Sequence, residues 1–405
     1  MRILIINQFF DPEPTFKGLV FARELQRRGH DVEALTGFPH YPGGAVYPGY
    51  RIRLVSREEH DGVRVNRVAV FPSHDQSALH RIATYGSFAL TAAALGPLVT
   101  RRPDVVYVYH PPVTVALAAL SQRLFRDVPF VYDIQDLWPD TLRATGMVRS
   151  DHVLRAVGGW CDYVYAKAAR LVVLSPGFRD RLIERGVPPA KIDVIYNWCD
   201  EAAIAPPSHV TPARDERVFT LLFAGTMGLA QGLDAVLDAA AMAKGALPGV
   251  RFAFVGGGVE RDRLRQRAER EHLDNVVFHD RRPMSEMGGV LAAADALLVH
   301  LRDDPLFRIT IPGKVQAYLA AGRPVLIGVR GDARALVEES GAGYGFTPED
   351  PASLLGALRR MLSRTPAERE AMGRAGQRFY DSRLSLRVGA DAFEQTFSRA
   401  VGRIH

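Results

Sequence analysis

The chain begins Arg2-Ile3-Leu4-Ile5-Ile6-Asn7-Gln8, a short apolar run, and reaches a second one at Asp31-Val32-Glu33-Ala34-Leu35. Between them lie a proline-bearing loop and a helical pattern over 18–28, stopped by Gly29-His30. Strand, loop, helix and strand at this spacing open a doubly wound parallel sheet. The first run is too short for the core of a signal peptide and reads as a buried strand.

Outward from there, the alternation predicts strands over 63–70, 104–109, 129–133, 171–174 and 192–196, with a helix near 82–99. These strands are near-continuous apolar runs, as expected when helices cover both faces of a sheet. The character changes over 201–217, where Pro206, Pro207 and Pro212 stand among mixed charges and read as a linker. Strands then return over 219–224, 250–255, 276–279, 296–300 and 324–329, with helices over 233–244 and 260–271. Helical patterns near 351–362, 367–380 and 386–401 finish the chain. The expected fold is α/β: two Rossmann-like doubly wound parallel-sheet domains facing across a cleft. The first is expected to span 1–200 and the second 218–385, with a C-terminal helix over 386–405 returning to the first.

A chain of 405 residues exceeds what one hydrophobic core usually serves, which agrees with two domains. A net charge of +6 suits an anionic partner such as a nucleotide or an anionic lipid, and suits a plain Arg-rich surface equally. No Lys/Arg run with interleaved aromatics marks a nucleic-acid groove. The two cysteines, Cys161 and Cys199, lack metal spacing and fit a reducing, cytoplasmic setting. The uncharged stretch 82–99 is flanked by His80-Arg81 and Arg101-Arg102. It reads either as a core helix or as one resting on an anionic bilayer at the inner face of the plasma membrane.

Ligands of open α/β sheets sit where strands end and helices begin. Four such loops of the second half look purposeful. Gly225-Thr226-Met227-Gly228-Leu229-Ala230-Gln231-Gly232 follows a strand, and Gly256-Gly257-Gly258 follows the next one. Glycine there lets backbone approach a phosphate, though such turns also arise for steric reasons alone. His279-Asp280-Arg281-Arg282-Pro283 is a polar loop able to flank a base or simply to face water. The most specific is Ile311-Pro312-Gly313-Lys314-Val315-Gln316, where Gly313 and Lys314 fall at a helix start that favours an anion.

This last segment, the 225–232 loop and the two-sheet plan resemble family-4 retaining glycosyltransferases of the GT-B fold, over essentially the whole chain. The likeness is nearest to the bacterial branch of O-antigen, capsule and colanic-acid assembly, which includes N-acetylfucosamine transferases. It is carried by Arg28-Gly29-His30-Asp31-Val32, Pro39-His40-Tyr41-Pro42-Gly43-Gly44, Asp133-Ile134-Gln135-Asp136-Leu137-Trp138-Pro139-Asp140 and Pro312-Gly313-Lys314. The resemblance implies a nucleotide-sugar donor, UDP-linked, a saccharide or lipid-linked acceptor, and no divalent metal or other cofactor.

Several positions depart from the family pattern. The Arg and Lys of the family's diphosphate loop are Thr226 and Gln231, and its two glutamates correspond to Arg308 and Gln316. Loss of two cations and two carboxylates together leaves the local charge roughly unchanged, so Lys314 and Arg308 become the expected neutralisers of the diphosphate. In the first half, Lys17 and Gly18 occupy a turn that faces donor phosphates in relatives. Asp133 and Asp136 follow the fifth strand, and a carboxylate there could take the acceptor proton or stabilise a cationic sugar; Asp136 could instead cap the next helix. His40, Tyr41, His110 and Trp138 are the expected acceptor contacts. Two other activities fit this plan, a nucleotide-sugar 2-epimerase and a nucleotide-binding regulator without turnover.

Overall fold

The computed structural model describes residues 1–73, 78–144, 147–148, 150–205 and 218–402. They form two compact units, Met1–Tyr196 with Gly389–His405, and Asn197–Val388.

The first unit is built on eight strands: β1 (Arg2–Ile6), β2 (Asp31–Gly37), β3 (Val55–His60), β4 (Val63–Val68), β5 (Val105–His110), β6 (Phe130–Ile134), β7 (Arg170–Val173) and β8 (Ile192–Val194). Their order is β3-β4-β2-β1-β5-β6-β7-β8, parallel except for β3, which runs against β4. Sequence patterning missed β3 because Val55-Ser56-Arg57-Glu58-Glu59-His60 is a polar edge strand with no apolar run. Strand β6 extends one residue beyond its expected end, so Asp133 lies inside the strand and not after it.

Helices cover both faces. On one, the Ala78–Val99 helix presses Phe88, Ala92 and Gly96 inward; a Cβ on Gly96 would come within 2.9 Å of Leu35 Cδ2. On the other, Phe21, Tyr107 and Phe393 stand with ring centroids 5.1 to 5.5 Å apart. Phe393 belongs to the Leu386–Ala400 helix, which thus completes this core. The Arg28-Gly29-His30 segment holds the same helix: Arg28 pairs with Asp391 and, at 2.6 Å, with Glu394, and His30 Nε2 lies 2.6 Å from Glu394.

The second unit has six parallel strands, β9 (Phe219–Ala224), β10 (Val250–Val255), β11 (Val276–His279), β12 (Ala296–His300), β13 (Val325–Gly328) and β14 (Gly343–Gly345), in the order β11-β10-β9-β12-β13-β14. Strand β14 escaped prediction because glycine dominates it. A Cβ at Gly343 would fall 1.7 Å from Val325 O, so steric need there overrides strand propensity. The expected linker starts differently: Glu201–Ile204 is a helix whose N-cap Asp200 accepts from Ala203 N, and Ala205 O lies where a Cβ of Gly288 would be, 2.3 Å away. The rest of that segment, 206–217, lies outside the described residues.

Candidate functional site

In the second unit, the loops after β9 and β10 run backbone against backbone. Gly225 N–H donates to Val255 O at 2.8 Å and Met227 N–H to Gly257 O at 2.7 Å. A Cβ on Gly256 would come within 2.1 Å of Gly225 O, and φ there is +138°, so only glycine fits. Gly257, by contrast, has open space where a side chain would project.

The Gly313–Ala320 helix is pinned to this loop pair by Tyr318, whose hydroxyl accepts from Ala224 N–H at 2.9 Å and donates to Ala224 O at 3.1 Å. Pro312 is its N-cap residue and supplies no side-chain cap, so Gly313 and Lys314 N–H have no side-chain cap, while Val315 N–H donates to Pro312 O at 2.9 Å. Lys314 folds across the loop: its Nζ stands 3.4 Å from the Phe223 ring centroid, and a Cβ on Gly225 would touch its Cε at 2.7 Å. Among the described residues its ammonium meets no carboxylate, and burial alone lowers its pKa to about 7. Gln316 is buried on the same helix, with Oε1 unpartnered.

The other expected donor residues divide. Gln231 does not reach outward: its Oε1 accepts from Gly228 N–H at 2.9 Å and closes its own loop. Thr226 and Arg281 are exposed beside their loops. Arg308 is half-exposed and spends its guanidinium on Asp303 at 3.0 Å, which also binds Arg330. Sequence reading passed over His300, at the end of β12. Its Nδ1 lies 2.6 Å from Gln231 O and its Nε2 accepts from Glu349 N–H at 3.0 Å. Both contacts suit a neutral ring protonated at Nδ1, and burial lowers its pKa further. His300 therefore anchors Gln231 and Gly232 from beneath; a Cβ on Gly232 would sit 3.5 Å from its Cε1. A histidine closing an apolar strand was the available signal.

In the first unit, the structure places Lys17 and Gly18, both expected beside the donor, among contacts of the fold itself. Lys17 is fully buried and its Nζ contacts Asp133 Oδ2 at 2.5 Å, with the Tyr107 hydroxyl donating to the same oxygen at 2.6 Å and Gln135 to Oδ1 at 2.5 Å. An ammonium and a carboxylate so enclosed neutralise each other inside the fold and are not offered to a ligand. Gly18 does not face outward as a phosphate turn either. Asp11 Oδ2 accepts from Leu19 N–H at 2.6 Å, filling the start of the Leu19–Arg27 helix, and a Cβ on Gly18 would lie 2.3 Å from that oxygen.

Asp136 stands apart from this pair. It is half-buried, its carboxyl has no hydrogen-bond partner among the described residues, and burial raises its pKa. Its carboxyl accepts from no backbone N–H among the described residues, so it caps no helix there, and its carbonyl accepts from Trp138 N–H at 3.1 Å. His110, at the end of β5, is buried with Nδ1 unpartnered and its pKa lowered by burial to about 3, so it stays neutral. Trp138 meets it edge-on at 5.6 Å. His40 is buried with Nδ1 on Phe38 O at 2.8 Å, and Tyr41 is partly exposed, its ring 4.9 Å from that of Phe9. Both are placed by Glu13, which sequence reading left as loop: its Oε1 accepts from His40 and Tyr41 N–H at 2.9 and 2.8 Å. Among the described residues no three His, Cys, Asp or Glu side chains gather as a metal site.

The two halves match two domain models. Residues 19–198 match a glycosyl transferase 4-like domain, and residues 218–364 match the glycosyl transferases group 1 model. WbjE of Pseudomonas aeruginosa, named as a probable glycosyltransferase, is 27% identical over 264 residues, 63% of this chain and 65% of its own length. WcaI of Escherichia coli, named for glycosyl transfer in colanic acid biosynthesis, is 24% identical over 81% of this chain and 83% of its own. Among solved structures, a sucrose-phosphate synthase of Thermosynechococcus elongatus superposes with TM-score 0.71 at 17% identity, covering 97% of each chain. HepE of Anabaena, solved with UDP and glucose, gives 0.65 at 17% identity over 98% of this chain and 99% of its own. Such likeness assigns the GT-B fold.

Proposed function

We propose that this chain, which belongs to the family-4 glycosyltransferases of the GT-B fold, transfers a hexose or N-acetylamino sugar from a uridine diphosphate donor with retention at the anomeric carbon. The acceptor is a saccharide or a lipid-linked sugar of surface polysaccharide assembly, met in the cytoplasm at the inner face of the plasma membrane.

One observation carries the reading: a lysine ammonium without a carboxylate partner among the described residues, laid over bare glycine backbone at an uncapped helix start. An anion there would meet the ammonium and the helix start together, and a diphosphate is an anion of that kind, with oxygens to accept from N–H groups. Exposed Thr226 and the open space at the Cβ position of Gly257 leave the loops beside it unobstructed. In the reaction, the bond from the anomeric carbon to the diphosphate oxygen breaks and its electron pair leaves with the diphosphate, whose growing charge Lys314 offsets. The acceptor oxygen forms the new bond to the same carbon on the face that the diphosphate leaves, as retention requires, and its proton passes to the departing diphosphate oxygen. The UDP and glucose bound by HepE support the choice of donor.

Incubation with a panel of nucleotide sugars and a lipid-linked acceptor tests the proposal. Release of nucleoside diphosphate together with a glycosylated acceptor is the expected result. Epimerised donor without product would assign the chain to sugar interconversion instead.

A further inference from the structure

The first unit carries an apolar groove of about 720 Å³ on its helical layer. Its walls are Leu90 of the Ala78–Val99 helix, Leu120 and Leu124 of the Ala116–Arg126 helix, and Trp160 and Tyr163 of the Asp151–Lys167 helix. Leu90, Leu124 and neighbouring Phe125 are 65%, 76% and 72% exposed, and Leu98 continues the surface at 77%. Contiguous exposure of large apolar side chains on this scale marks a surface that something covers. The Ala78–Val99 helix is thus two-faced: Phe88 and Ala92 belong to the core, while Ile82, Leu90 and Leu98 belong to the outside.

Charge identifies the occupant. Arg123 and Lys167 line the groove and Lys191 lies beside them: Arg123 donates to Lys167 O at 3.1 Å, and Lys191 to Ala166 O at 2.9 Å. Lys191 is held below its ordinary pKa range by burial and then by the Arg123 charge, which confirms the crowding. None of the three makes an ion pair with a carboxylate among the described residues, although ion pairs are common elsewhere in the chain. Of the residues lining the groove, one is acidic, Asp127. A second copy of this chain would bring the same cations with little acid to meet them. Apolar side chains beside unpaired cations match the boundary of an anionic bilayer, where hydrocarbon lies next to phosphate. Trp160 and Tyr163, stacked at 6.0 Å, are the side chains that favour this boundary.

We infer that this three-helix face docks the protein on anionic lipid, with Leu90, Leu98, Leu124 and Phe125 entering the headgroup layer and Arg123, Lys167 and Lys191 meeting lipid phosphates. The inference rests on the membrane placement proposed above only for which leaflet is met. The Leu and Phe side chains alone would favour any bilayer, whereas the cations make docking depend on anionic lipid and on salt.

The test is co-sedimentation of the full chain with vesicles of phosphatidylcholine, with and without phosphatidylglycerol, at low and high salt. Binding should require phosphatidylglycerol and weaken at high salt. Two exposed double variants, Leu124→Glu with Phe125→Glu and Arg123→Glu with Lys167→Glu, should each lower the partition coefficient at least about tenfold. Both should keep wild-type circular dichroism and wild-type transfer to a soluble acceptor, so that failure of docking and failure of the sugar chemistry remain distinct. Equal binding to neutral vesicles, or partition unchanged in both variants, overturns the inference. So does a dimer in sedimentation velocity that the Leu124→Glu, Phe125→Glu pair dissolves, because the face would then belong to a second copy.

Discussion

Raising the pH from 6 to 8 should weaken binding of a uridine diphosphate sugar about tenfold, through one amine. Burial places the Lys314 pKa at about 7 in the free protein. The amine is then about 90% charged at pH 6 and about 10% charged at pH 8, and a diphosphate binds the charged form. Apparent affinity scales with that fraction as long as the bound pKa lies above the tested range, which an adjacent dianion ensures. The sugar ester is the right probe because its diphosphate has no ionisation near neutrality, so protein groups alone set the slope. Isothermal titration calorimetry in two buffers of different ionisation enthalpy reads both quantities, the fall in affinity and the proton taken up at pH 8. Lys314→Met should bind more weakly at pH 6 and show no slope. Affinity that is flat from pH 6 to 8 in the wild type, or an undiminished slope in Lys314→Met, would refute the assignment of the diphosphate to Lys314.

The remaining predictions concern turnover and stability. Lys314→Ala should lower turnover about 10²–10³-fold with the fold intact by circular dichroism, as expected for loss of one transition-state stabiliser. Without ligand, Lys314→Met should melt higher than wild type at pH 7, and the gap should close toward pH 10.5. The folded pKa lies below the unfolded one, so the unfolded chain takes the proton first as pH falls through that window, and the wild type loses stability there. Asp133→Asn should cost about 3–5 kcal/mol in urea unfolding, because it strands the buried Lys17 charge; an unchanged midpoint would mean the pair is not closed as described. Turnover should persist in a chelator, and recovery only on adding magnesium or manganese would count against metal-independent transfer.

The alternation of apolar runs and helical patterns was enough to place both sheets, because parallel strands covered on both faces have little choice of composition. What failed was local and has local causes. Strand β3 is polar because it lies at an edge, and β14 is glycine-rich because Gly343 backs onto Val325 O. The candidate site was legible where a residue type and a helix start coincide, as at Pro312-Gly313-Lys314. It was not legible where contacts span long separations. Nothing near Lys17 announces that a carboxylate 116 residues away will enclose it. Similarly, Gln231 looks like a ligand-facing replacement for a lysine until its amide is seen closing on Gly228 N–H. Glu13 and His300 hold loops by backbone bonds, a role that leaves no spacing to read.

The central claim is that the second unit binds a nucleotide diphosphate sugar at Lys314 and gives up its sugar to an acceptor. Mass-resolved analysis of the donor panel with a lipid-linked acceptor tests it most directly, run side by side on the wild type and Lys314→Ala. The account predicts uridine diphosphate and glycosylated acceptor in equal amounts from one donor, both nearly abolished in the variant. Equal product from the folded Lys314→Ala protein, or no diphosphate release from any donor in the wild type, would contradict it.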